Sequence, residues 1–235
     1  MTAAPHWDAL VVAGGRASRL GGIDKTALLW HGRSLLDGVL AAVAGAGRVC
    51  VVGSDADLPA DVLRAMERPR WGGPAAAIVA GLQALAEAGS GEWVMVLAGD
   101  LVHADQAVPE LLAALAEAAT PAAPATSATP ATPAALTAPA AAGEQTDGLI
   151  SVDADGQRQP LLALYRREAL AAAAAAIGPA ENLSVKSLIG GLNLVELRLA
   201  DEASDDVDTP HDAARLGITL PAPAAPSAPP PATPA

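Results

Sequence analysis

The sequence predicts an α/β domain built on a mostly parallel sheet, and three observations lead there. Short, continuously apolar runs at 9–13, 49–52 and 93–98 have the length and composition of strands buried on both faces. Stretches with apolar residues at helical spacing separate them. The first run ends in a glycine-rich loop, and glycine lets backbone N–H groups approach a ligand because no Cβ intervenes.

Taken in order, residues 8–13 read as the first strand. Residues 34–46 read as a helix, with Ser34 as N-cap and Leu35, Leu36, Val39, Leu40 and Val43 on one face. A second strand covers 48–53. Pro59 at a first turn predicts a helix over 58–66. After Gly72-Gly73-Pro74 comes an alanine-rich helix, 75–88, with Ile78, Leu82 and Leu85 on one side. The third strand, 93–98, ends at Gly99-Asp100, and a helix is expected over 109–118. Residues 147–152 and 161–165, joined by the turn Asp153-Ala154-Asp155-Gly156, read as a hairpin. Helices at 166–177 and 184–189, a strand at 193–199 and a last helix at 210–216, capped by Thr209 with Pro210 at its first position, complete the chain.

Between 119 and 143 the pattern dissolves into Ala, Pro and Thr, with prolines at 121, 124, 130, 133 and 139. Prolines this frequent block helices and sheet ladders, so a flexible insertion is expected. A second proline-rich stretch closes the chain. The domain is therefore drawn over 7–217, with 218–235 as a disordered tail.

Composition narrows the function classes. The chain has 235 residues and a net charge of −12. That balance disfavours a nucleic-acid-binding surface, which would be basic. A small anionic ligand needs only a local positive site, which Arg16, Arg19 and Lys25 supply. Aromatics are 2% of residues, so the core is aliphatic. The single cysteine, Cys50, lies in an apolar run and reads as a buried small hydrophobe. The absence of a leader pattern and of a long apolar span leads to the expectation of a cytoplasmic protein with no membrane partner.

Residues 8–25 carry the chemistry most plainly. Arg16, Ser18, Arg19 and Lys25 stand among Gly14, Gly15, Gly21 and Gly22, which suits phosphate oxygens. The spacing is neither that of a P-loop nor of a dinucleotide fingerprint, because Ile23 and Asp24 separate Gly22 from Lys25. A plain strand-to-helix connection is the alternative. Asp100 sits at the carboxyl end of a buried strand, where open α/β sheets bind ligands. It reads equally as a Mg²⁺ carboxylate or as a turn aspartate. His103 reads as a solvated loop residue and Asp105 as a helix cap. Asp206 and Asp208, two apart, would share one face of an extended segment and suit a cation, or form an acidic loop. Gly72-Gly73-Pro74 offers backbone N–H groups at a helix start, for a base or simply as an entry turn. Lys186 reads as a solvated helix residue, with contact to an anionic second substrate as the other reading.

The stretch from Val12 to Lys25 resembles the loop L-A-G-G-x-S-x-R-[ML]-G-x-x-K of the nucleoside-triphosphate-transferase superfamily. Within it the chain is most similar to the molybdenum cofactor guanylyltransferases. Supporting stretches are Gly73-Pro74, Leu97-Ala98-Gly99-Asp100, residues 159–165, residues 184–188 and Asp206-Val207-Asp208-Thr209-Pro210. The resemblance spans roughly residues 7–217. It implies a Rossmann-like three-layer fold of nucleotide-diphospho-sugar transferase type. It also implies a reaction in which a phosphate of molybdopterin attacks the α-phosphorus of GTP and pyrophosphate leaves. Ala13, Gly14, Gly15, Gly73 and Pro74 would then lie along the nucleotide, and Arg19 and Lys25 would contact its phosphates. Asp100 would hold Mg²⁺, with Asp208 completing the metal site. GTP, a molybdopterin-type acceptor and a molybdoenzyme or chaperone that takes delivery are the implied partners. Two departures stand out: the family's Asp-x-Pro after the third strand is Asp100-Leu101-Val102 here, and the 119–143 insertion is unusual. Two other readings stay open, a related transferase using CTP or another nucleotide on a cofactor or sugar phosphate, and a non-catalytic nucleotide-binding protein.

Overall fold

The computed structural model describes residues 5–14, 24–89, 91–118, 136–137, 146–199 and 210–218. An eight-stranded sheet forms its middle layer. In chain order the strands are β1 (Trp7–Val12), β4 (Val49–Val52), β5 (Leu63–Ala65), β6 (Trp93–Ala98), β7 (Leu136–Thr137), β8 (Gly148–Val152), β9 (Arg158–Arg166) and β10 (Leu194–Arg198). A separate two-residue hairpin pairs β2 (Leu29–Trp30) with β3 (Arg33–Ser34). The order across the sheet is β5-β4-β1-β6-β9-β8-β10-β7. All strands of this sheet but β7 and β9 run the same way, so the expected mostly parallel sheet is present.

β1 is central because every one of its residues is buried. A strand buried on both faces cannot alternate apolar and polar residues, hence the apolar run from Ala9 to Val12. Val11 and Ala9 face one core with Leu36 and Val39 of α1 (Leu35–Ala42) and Leu111 and Leu115 of α3 (Ala104–Ala118). Leu10 and Val12 face the other, with Ile78 and Leu85 of α2 (Pro74–Glu87), Leu170 of α4 (Arg167–Ile177) and Leu188 of α5 (Val185–Ile189). Helices therefore cover both faces, giving three layers. Cys50 is fully buried in the second core, and burial pushes its thiol up to about 11. Among the described residues, no helix is long and apolar enough to cross a membrane.

Several elements differ from expectation. The helix expected over 58–66 is instead a turn, with the Val62 amide donating to the Pro59 carbonyl, followed by edge strand β5. Parallel pairing of Val51 with Arg64 and of Val52 with Ala65 overrides the local proline signal. α3 begins at Ala104, so Pro109 lies inside it. Burial of Ala104, Ala107 and Val108 against the sheet extends the helix backwards past the proline. His103, expected in solvent, is buried, and its ring meets the edge of Trp30 at 5.0 Å between centroids. Asp105 lies in the first turn of α3, where a carboxylate favours the helix end. Ser34 caps α1 as expected, accepting from the Asp37 amide at 3.0 Å.

The hairpin of β8 and β9 forms, but its register shifts between Ile150 and Ser151, with Ile150 opposite Ala163 and Ser151 opposite Gln159. Within the expected insertion, Leu136–Thr137 pairs with β10; the rest of 119–143 lies outside the described residues. The last helix, α6 (Pro210–Arg215), docks through Ala213 and the following Ile218 on Leu28, Leu35 and Val102. The Trp30 indole N–H donates to the Leu216 carbonyl at 3.2 Å.

Candidate functional site

Parallel strands collect their carboxyl ends on one edge of a sheet, and here that edge gathers the chemically useful residues. β1 runs out into Ala13 and Gly14, β4 into Gly53, β5 towards Glu67 and β6 into Gly99-Asp100. The Ala13 amide donates to the Val52 carbonyl at 2.8 Å and the Gly99 amide to the Val12 carbonyl at 2.9 Å, so the three strand ends stay in register past the last paired residues.

Glycine is required at this edge for space. A Cβ on Gly53 would stand 2.6 Å from the Gly14 Cα, and Gly53 also has φ +86°, a conformation side chains resist. A Cβ on Gly99 would stand 3.0 Å from the Ala13 Cβ and 3.3 Å from the Thr26 Cγ2. Two backbones thus meet at Gly14 and Gly53, and Gly14 remains exposed on the outer side of the contact.

The turn that follows the signature loop is built by Asp24. Its carboxylate accepts from the Thr26 amide at 3.0 Å and from the Thr26 hydroxyl at 2.7 Å. This fastens a 3-10 turn at Lys25–Ala27 over Gly99. Lys25 is thereby held with Nζ 3.7 Å from the Asp100 carboxylate. Their side chains are 19% and 18% exposed, so the pair stands at the mouth of the edge and not inside it. One carboxylate on an open edge is the donor type Mg²⁺ takes when phosphate oxygens supply most of its remaining ligands. Among the described residues no group of three His, Cys, Asp or Glu is placed to cage a metal.

Beside Gly14 a cavity of about 160 Å³ is lined by Val12, Gly14, Glu67, Trp71, Gly73, Pro74 and Ala77. Gly73, at φ +91°, is the N-cap of α2, and Pro74 takes its first position. The expectation placed Gly73 and Pro74 at the nucleotide; Glu67 was missed. It is buried, its Oε1 accepts from the Trp71 amide at 3.0 Å, and its Oε2 has no partner. A buried carboxylate oxygen with no donor is costly; Asp8 Oδ1 and His103 Nδ1 are likewise buried without a partner. No spacing rule marks Glu67, because the segment before it reads as a helix and only the strand β5 turns it into the cavity. A second cavity of about 290 Å³ is lined by Ala98 and Leu101, on either side of Asp100 in the chain, and by Gln159, Ser184 and Lys186 among others. Lys186 is exposed on α5, as expected, and is also on this cavity's wall. The Asn182 amide donates to the Gly72 carbonyl at 2.7 Å, tying the segment before Ser184 to the Gly72-Gly73 loop.

Of the expected site residues, Ala13, Gly14, Lys25, Gly73, Pro74 and Asp100 lie at this edge. Gly15, Arg16, Ser18, Arg19, Gly21, Gly22, Asp206, Asp208 and Thr209 lie outside the described residues.

Comparison with known proteins gives the same direction. Residues 9–193 match the MobA-like NTP transferase domain family. A molybdenum cofactor guanylyltransferase of Acidiphilium cryptum is 37% identical over 114 residues, covering 46% of this chain and 58% of that protein. The chain thus aligns with rather more than half the length of that relative. The structure of molybdopterin-guanine dinucleotide biosynthesis protein A from Archaeoglobus fulgidus superposes with a TM-score of 0.58 at 18% identity, covering 89% of this chain and 96% of that one. That of 4-diphosphocytidyl-2C-methyl-D-erythritol synthase from Anaerococcus prevotii gives 0.57 at 11% identity, over 91% and 95%. At these identities the structural likeness bears on the fold, which is of the nucleotide-diphospho-sugar transferase type.

Proposed function

The chain belongs to the MobA-like NTP transferase domain family, and on that premise we propose that it is a nucleotidyltransferase moving GMP from GTP to a phosphate of a molybdopterin-type acceptor. An acceptor phosphate oxygen forms the new bond to the α-phosphorus while the bond from that phosphorus to the oxygen bridging to the β-phosphorus breaks. Pyrophosphate leaves. Such a transfer needs positioning and charge neutralisation more than a protein nucleophile.

The observation that carries the reading is the pair Lys25–Asp100 at 3.7 Å on the edge that also presents Gly14. Lys25 would neutralise phosphate charge as it shifts to the leaving group, and the Gly14 backbone would let the triphosphate approach closely. Arg19, Gly15 and Asp208 are assigned supporting contacts to the phosphates and to the metal. Asp100, with Asp208, would hold Mg²⁺, whose chemistry is to draw the phosphate oxygens together and offset their charge. The second cavity, with Lys186 and Ser184 on its wall, is the place proposed for the anionic acceptor.

Glu67 would favour guanine over cytosine: its one unpartnered oxygen, Oε2, could accept from guanine's adjacent N1–H and N2–H donors, Oε1 being taken by the Trp71 amide, whereas cytosine offers its donors only from N4. The compartment proposed is the cytoplasm, with product passing to a molybdoenzyme or its chaperone.

The test is pyrophosphate release from GTP with Mg²⁺ and molybdopterin. The wild type should turn over, Asp100→Ala should lose about 100-fold or more, and GTP should bind more tightly than CTP. Unchanged release by Asp100→Ala would overturn the assignment, and tighter binding of CTP would move the protein to a cytidylyl reading.

A further inference from the structure

Trp71 is unusual in three respects that are independent of one another. It is exposed, at 41%, in a chain that has buried both Trp7 and Trp93. Its backbone is left-handed at φ +69°, a conformation that a bulky side chain rarely adopts and that needs outside support. That support is present. The Trp71 amide is held by Glu67 Oε1 at 3.0 Å, and the Arg70 guanidinium lies over the indole ring, 4.8 Å from its centroid. Arg70 is held in turn by the Asp55 carboxylate, on the segment that follows Gly53. The ring is therefore fastened at its backbone and backed by a cation, and it stands on the wall of the cavity that Glu67, Gly14, Gly73 and Pro74 complete.

A fixed, half-exposed indole is expensive to leave in water and has no packing role that explains it. At about 160 Å³ the cavity lies below the roughly 300–1,000 Å³ of pockets for drug-sized ligands, which suits a single heterocycle and not a whole nucleotide. An aromatic face offers a flat heterocycle stacking energy regardless of its hydrogen-bonding pattern, while the unpartnered Glu67 oxygen supplies discrimination.

We propose that Trp71 is the platform on which the nucleobase of the donor nucleotide stacks, with Arg70 behind the ring and Glu67 reading the base edge. The two roles are separable: the platform sets affinity for any nucleoside triphosphate, and the carboxylate sets preference among bases. This rests on the nucleotidyltransferase reading above, and it adds a residue that the signature motifs do not contain.

The experiment is a calorimetric titration of the full chain with GTP, ATP and inorganic tripolyphosphate in Mg²⁺, for the wild type, Trp71→Ala and Trp71→Phe. Alanine keeps the Cβ, so the backbone constraint at φ +69° is retained and the ring alone is removed. Trp71→Ala should weaken GTP and ATP by similar factors, about tenfold or more, and leave tripolyphosphate unchanged. Trp71→Phe should recover most of the loss. GTP should also quench indole fluorescence in Trp30→Phe but not in Trp71→Phe. Equal GTP affinity in Trp71→Ala and wild type overturns the platform and leaves the proposed function standing. Equal weakening of GTP and tripolyphosphate also overturns it, because a base platform does not touch phosphates. Failure of the wild type to bind any of the three overturns both.

Discussion

At the amino end of β1, Asp8 is fully buried, and its carboxylate accepts from the Gly91 amide at 2.8 Å and from the Arg167 guanidinium. Arg167 also donates to the Gly91 carbonyl at 2.7 Å, which closes a ring of contacts joining β1, the turn before β6 and the start of α4. Burial draws the Arg167 pKa down, while the charge and hydrogen bond of Asp8 pull it back up. Just past the other end of the same strand, Lys25 and Asp100 face each other at 3.7 Å, each nearly a fifth exposed. The first pair is dry, close and ringed by backbone partners. The second is longer, and both of its side chains are partly exposed. In the first pair Asp8 Oδ2 takes both donors while Oδ1, also buried, has none; the second pair stands on the edge proposed to receive the ligand.

The sharpest way to break this contrast is at the closed end. Asp8→Ala leaves a buried guanidinium without its counter-charge and the Gly91 amide without its acceptor. Unfolding in urea should show a loss of about 3–5 kcal/mol. Nucleotide affinity at temperatures where the variant stays folded should be unchanged. An affinity loss as large as the stability loss would mean that the two ends are coupled through β1.

A smaller loss is expected from the open end. Gly53→Ala places a methyl group against the Gly14 Cα in a left-handed backbone, and it should cost roughly 2–4 kcal/mol of stability. Here the affinity for GTP should fall as well, because Gly14 has to move. Retained affinity would show that the approach of the two loops is a packing feature alone.

The smallest effect belongs to the middle of the sheet, where Cys50 pairs in register with Leu10. Burial raises its thiol from 9.0 to about 11, so the unfolded chain ionises first. Its contribution to stability is complete below about pH 9 and is lost, on the order of 2 kcal/mol, as pH rises through about 11. Burial raises the Tyr165 phenol too, which steepens the alkaline loss in the same direction. Comparing the alkaline slope of the wild type with that of Cys50→Ala isolates the thiol's share, and equal slopes would show that this thiol is not shielded.

Both ends of β1 differ in how far they could be read beforehand. The strands, the cap at Ser34, the helix behind Gly73-Pro74 and the mouth residues Lys25 and Asp100 are legible because each depends on neighbours in the chain: an apolar run, a capping hydroxyl, a glycine before a proline. The hidden features depend on partners far away. Glu67 lies in the cavity only because β5 pairs with β4, where a proline signal predicts a helix. His103 is buried only because Trp30, from the hairpin ahead of α1, reaches it. The Asp8–Arg167 bond spans 159 positions along the chain, and no local pattern announces it.

What this sequence determines alone is the alternation of elements and the glycine-rich route past the first strand, since both arise from local sterics and from the period of apolar residues. Only the tertiary structure decides which carboxylate is fully buried and which stays partly exposed. Asp8, Glu67 and Asp100 are acids bordering apolar segments in the sequence. Long-range packing buries Asp8 against a cation and Glu67 against the Trp71 amide, each with one oxygen unpartnered, and leaves Asp100 partly exposed beside Lys25. A charge's role is set by its desolvation and its partners, and these exist only once the chain has closed around it.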